Sequence, residues 1–129
     1  MQQALALCYG MAGERGEAVA ALAKALEIRA VLVNPTDYEE TLDALCGLAP
    51  RSGITHAGEA LPGEMMVMAH FPKGLLNRFL DSFHESGTAP VPLKAMRTPN
   101  NGVWNALRLF DELSQEYEFF RRMQEQAGE

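Results

Sequence analysis

The chain has 129 residues, 47% of them hydrophobic and 22% charged, with a net charge of −6 and a pI near 5.0. That length gives room for one domain with one real core, and the acidic balance argues against a nucleic-acid backbone as main partner, which needs a basic face. No apolar run approaches the roughly 20 residues that span a bilayer, and no basic region precedes the apolar N-terminal stretch, so neither a membrane span nor a signal peptide is expected.

In chain order, Ala4 to Tyr9 is a short apolar run ended by Gly10 and reads as a buried strand. Glu14 to Ile28 is rich in Ala, Leu, Glu and Lys, all good helix formers, and carries Val19, Leu22, Ala23 and Leu26 as an apolar stripe. Ala30 to Val33 is a second strand, stopped by Asn34-Pro35. Thr36-Asp37-Tyr38-Glu39 has the form of a capping box, in which Thr36 and Glu39 satisfy each other's backbone N–H groups. The helix it predicts presents Tyr38, Leu42 and Leu45 and fades by Leu48. From Ala49 to Glu64 five Gly and Pro residues interrupt the chain and no period survives, which predicts a surface connector.

Met65 to His70 is a third strand. Lys73 to Ser86 is a helix with Leu75, Leu76, Phe79, Leu80 and Phe83 inward, and Gly87 is its C-terminal cap. Val91 to Met96 is a fourth strand. Pro92 lacks a ladder donor and Lys94 discourages edge-to-edge pairing, so this strand belongs at an edge. Arg97-Thr98-Pro99-Asn100-Asn101-Gly102-Val103-Trp104 then leads into the last helix. Thr98-Pro99 fits a cap followed by a first helical residue; Asn100 or Asn101 is the alternative cap, with Pro99 in a preceding turn. Val103, Leu107, Phe110, Leu113, Tyr117 and Phe120 follow at helical spacing, to about Gln124, and the final Gly128-Glu129 is expected to fray.

Thr98-Pro99-x-Asn101-x-x-Trp104, between an apolar strand and a Leu-rich helix, resembles the bacterial domain-of-unknown-function 3783 family over roughly Met65 to Glu116. The resemblance implies a small α/β domain and carries over no activity and no catalytic residue.

The two halves, 4–48 and 65–124, repeat one order of elements around the connector 49–64. A shift of 62 residues aligns Thr36 with Thr98, and a shift of 57 aligns Val19 with Leu76. The expected fold is α/β: one domain over 1–129, with a small four-stranded, mainly parallel sheet and covering helices, built from two β-α-β-α repeats. The expected strand order is second-first-third-fourth. If all strands run parallel, the order reverses beside the first strand, and a ligand crevice opens at the strand carboxyl ends.

Candidate ligand-binding residues there are Arg97, Thr98, Asn100, Asn101, His70 and Thr36. Free N–H groups at a helix start favour an anion, and Arg97 can add a bidentate contact. The plain alternative is a well-made cap with a solvated Arg. His70 ends a strand but has no partner placed by sequence, and no Ser or Cys sits in a nucleophile motif, so no catalytic residue is assigned. Cys8, His56, His70 and His84 share no metal-ligand spacing, and there is no Gly-rich phosphate loop, so neither metal nor cofactor is expected. Cys8 and Cys46 read as buried thiols in a reducing cytoplasm. Phe119, Phe120 and Met123 lie too late in the last helix for a small domain to cover, and they point to a homodimer or protein partner. The function expected is a cytoplasmic, non-enzymatic binding or interaction module. The alternative is a domain or enzyme taking a small anionic ligand at the strand carboxyl ends.

Overall fold

The computed structural model describes residues 3–127. Four strands form one sheet in the order β2-β1-β3-β4: β1 Leu5–Tyr9, β2 Arg29–Leu32, β3 Met65–Ala69 and β4 Leu93–Met96. The order is the expected one, and the strand with Pro92 before it and Lys94 within it lies at an edge. The sheet is mixed rather than mainly parallel. β1 pairs parallel with β2 and β3 parallel with β4, but β1 and β3 pair antiparallel, with Leu7 opposite Val67 at the centre of the register. The connector between the halves is long enough for β3 to enter from either end, so the strand patterns alone leave its direction open.

Alternation along the strands sends side chains to two cores. On one face Ala6, Cys8, Met66 and Met68 pack beneath α1 (Gly13–Ala25) and α3 (Leu75–Ser86), which contribute Val19, Ala23, Phe79 and Phe83. On the other face Leu5, Leu7, Tyr9, Met65 and Val67 meet Tyr38, the one-turn α2 (Leu42–Leu45) and the start of α4 (Ala106–Ala127). The sheet is thus a middle layer between two helical layers.

Two helix starts differ from expectation. The capping box does not form: the Thr36 hydroxyl and N–H both donate to Asn34 Oδ1, at 3.0 Å each, over a 3-10 turn at Pro35–Asp37. Thr41 caps the helix that follows, its hydroxyl accepting from Ala44 N. α4 begins at Ala106 rather than beside Thr98. Asn105 supplies the cap, its Oδ1 accepting from Arg108 N at 3.0 Å, and Val103 lies exposed before the helix. Gly87 does end α3 in the left-handed conformation. The expected fraying of Gly128-Glu129 lies outside the described residues.

The helix stripes match at a shift of 60 rather than 57, which sets Val19 against Phe79 and not Leu76. Gly10 and His70 follow β1 and β3 with φ of 73° and 61°, and Glu27 and Gly87 follow α1 and α3 with φ of 60° and 73°. Val19 and Ala23 occupy the buried face of α1 as Phe79 and Phe83 do that of α3. Beyond the helices the offset becomes 64, and the two capping residues, Thr41 and Asn105, bridge each other.

Candidate functional site

β4 hands the chain to Arg97, whose N–H donates to Met68 O at 2.7 Å. The next residues form a turn closed by its own side chains. Asn101 Oδ1 accepts from Thr98 N at 2.8 Å, Asn101 Nδ2 donates to Met96 O at 3.0 Å, and Thr98 Oγ1 accepts from Asn101 N at 3.2 Å. Pro99 suits such a turn because its φ is preset and it has no N–H to place. The polar groups of Thr98 and Asn101 are therefore engaged inside the loop. Asn100 is exposed at its tip.

Beyond this turn the chain grips the other half. Arg97 Nε donates to Asp43 Oδ1 at 2.7 Å, and Asp43 N donates to Gly102 O at 2.9 Å. Leu42 N donates to Trp104 O at 3.0 Å, and Ala106 N to Tyr38 O. Gly102 is required by space: a Cβ there would run into the Asp43 carboxylate. The hydrogen bond to Asp43 raises the Arg97 pKa further, so the guanidinium stays charged. Trp104 is half-buried, with the Arg108 guanidinium 4.3 Å from its ring centre, at cation–π distance. The motif is thus the joint between the two sheet-covering connections.

The antiparallel join separates the other candidates. The carboxyl ends of β1 and β2 lie at one end of the sheet, and those of β3 and β4 at the other. Thr36, after β2, and His70, after β3, therefore leave the sheet at opposite ends, and the single crevice of an all-parallel sheet does not form. His70 holds a left-handed backbone, and its Nε2 is buried without a hydrogen-bond partner. It borders a cleft of about 630 Å³ with Lys73 and Arg78 on the rim.

Sequence reasoning missed a carboxylate clamp. Glu40 is buried, and its carboxylate accepts from Ser52 N at 2.6 Å and Gly53 N at 3.0 Å, with Arg51 Nε at 3.9 Å. Those backbone donors, Ser52 first, hold its pKa below the ordinary carboxylate range. Glu39 beside it is 3.3 Å from His56 Nδ1, while His56 Nε2 meets Glu59 O at 3.1 Å. Both contacts strap the connector down. Nothing in the run Asp37-Tyr38-Glu39-Glu40 marks which carboxylate is buried.

The nucleophile inventory is poor. Burial pushes the Cys8 thiol up to about 12, and burial, then Asp43, raises that of Cys46; both stay protonated at neutral pH and react weakly. Burial also raises Tyr9, whose hydroxyl lacks a partner. Among the described residues no three His, Cys, Asp or Glu stand together as a metal site. Nor is any helix there long and apolar enough to cross a membrane.

Residues 64–120 match the family described as Domain of unknown function (DUF3783), as the Thr-Pro-x-Asn-x-x-Trp motif led one to expect. No curated protein and no solved structure matches the chain.

Proposed function

We propose, for a chain whose residues 64–120 carry the DUF3783 domain, that it is a cytoplasmic, non-enzymatic interaction module that pairs with a second copy through the far half of α4. One observation carries this reading. The stripe that buries Ala106 and Leu109 and half-buries Leu113 continues as Tyr117 and Phe120, which the described residues leave more than half exposed. Phe119, Phe120 and Met123 are 60%, 64% and 52% exposed. Gln115 to Gln126 are all exposed, a projecting rod of about 18 Å.

Charge favours a second copy as occupant. Asp111, Glu112, Glu116 and Glu118 precede Phe120, and Arg121, Arg122 and Glu125 follow it, with Arg121 already paired to Glu118 and Glu125 along its own helix. Antiparallel pairing about Phe120 brings the acidic segment of one copy level with Arg122 of the other, whereas parallel pairing sets acid level with acid. With three aromatics of about 150–250 Å² each, half of that area covered on both copies comes to about 450–750 Å², a small, weak and reversible contact. The engagement of Arg97, Thr98 and Asn101 within the fold supports an architectural role for the motif. Cys8 and Cys46, free and unbridged, fit a reducing compartment. The corresponding places of positions 60 apart support descent of both halves from one duplicated β-α-β-α unit, within a single domain.

Sedimentation equilibrium tests the pairing. Wild type should approach the dimer mass at high micromolar concentration. Phe120→Asp should be monomeric with the melt of dilute, monomeric wild type, because Phe120 makes no core contact. A monomeric wild type across that range would end the reading.

A further inference from the structure

The two ends of the sheet differ where positions 60 apart would make them alike. Past β1, Gly10 backs directly onto Gly63, and Arg15 closes over the junction with a two-pronged pair to Glu64, 2.9 Å at each contact. Past β3 the place of Gly10 is taken by His70. The places of Arg15 and Glu64 are taken by Leu75 and Ala4, which cannot form that pair. The second junction therefore stays open, as a cleft of about 630 Å³ floored by Ala4, Leu26, Phe71 and Leu75.

Its rim is charged. Lys73 and Arg78 are exposed there, and neither has an ion-pair partner among the described residues. His70, whose Nε2 is buried without a hydrogen-bond partner, borders the same cleft. A neighbouring hollow of about 600 Å³ shares Gln3 and Glu27 with it and adds Lys24 and Arg29. Four cations thus stand around Glu27 at one end of a protein whose net charge is −6. Such a local reversal of sign draws anions, and an apolar floor beneath it selects those with an apolar body.

We propose that the cleft between His70 and Arg78 binds a small organic anion, with its aromatic or acyl body on Leu26, Phe71 and Leu75 and its carboxylate or phosphate head on Lys73 and Arg78. This proposal stands apart from the pairing of α4, which leaves the cleft free.

The test is titration of the whole chain with phenyl phosphate and benzoate, followed by amide and imidazole NMR shifts. Inorganic phosphate and benzyl alcohol serve as probes carrying only the charge or only the ring. Saturable shifts centred on residues 70–78, at least tenfold tighter for a two-feature probe than for either single-feature probe, are expected. Lys73→Glu and Arg78→Glu should each weaken binding tenfold or more without moving the melt, since both side chains are exposed, and Arg121→Glu should not change it. Absence of saturation at 10 mM probe, on the order of the weakest specific binding, overturns the proposal. So does inorganic phosphate binding as tightly as phenyl phosphate, which would reduce the site to surface charge.

Discussion

Replacing Asn101 by alanine separates an architectural motif from a ligand site. The side chain holds two backbone groups at once, accepting from Thr98 N at 2.8 Å and donating to Met96 O at 3.0 Å. A hydrogen bond of this kind is worth about 1 kcal/mol net, so losing both costs about 2 kcal/mol. For a domain of this size each kcal/mol moves the melting temperature by about 4 °C, which sets the expected drop at about 8 °C. Asn101→Asp keeps the acceptor for Thr98 N and loses the donor to Met96 O, so it should fall roughly half as far. Calorimetry on the three proteins, with urea melts to confirm a constant slope, reads the effect. A drop under 2 °C for Asn101→Ala would refute the reasoning and return Asn101 to the surface as a residue kept for something else.

Gly102→Ala forces the Asp43 carboxylate away from Arg97; a loss of about 1–3 kcal/mol by urea melt is expected, and a neutral result would mean the joint is loose. Glu27→Gly relieves a left-handed φ of 60° at an exposed position after α1 and should stabilise by about 1 kcal/mol, read as a melt raised by about 4 °C. The Glu40 carboxyl is held below its unfolded pKa of about 4.3, so its stabilisation is complete at neutral pH and disappears as pH falls through the lower folded value. Glu40→Gln should be less stable than wild type at pH 7 and should lose less of its stability between pH 5 and 3. Parallel acid titrations of the two would contradict the clamp.

The strand order was legible because Pro92 and Lys94 mark an edge, and Gly87 was legible because a helix that stops needs a left-handed residue. Direction was not: β1 and β3 carry the same apolar pattern whichever way β3 runs. The helix starts failed for a different reason. Thr, Pro and Asn serve a turn and a cap with the same groups, and tertiary partners decide which is made. Asn101 turned back on Met96, Glu39 went to His56 instead of Thr36, and Asn105, one residue past Trp104, became the cap. The exposed Phe119 and Phe120 were legible from helix length alone. The cleft at His70 was not, since it depends on Ala4 and Leu75 meeting across 71 positions of sequence.

The antiparallel seam between β1 and β3, centred on Leu7 opposite Val67, also fixes what the connector does. Residues 64–120 taken alone would leave β3 as a bare edge of five buried apolar residues, Met65–Ala69, the sort of edge that pairs with another chain. In the whole chain the span from Ala49 to Glu64 holds β1 beside that edge at an effective concentration of about millimolar, the range given by short tethers. An encounter that would otherwise depend on protein concentration becomes a first-order closure within one molecule.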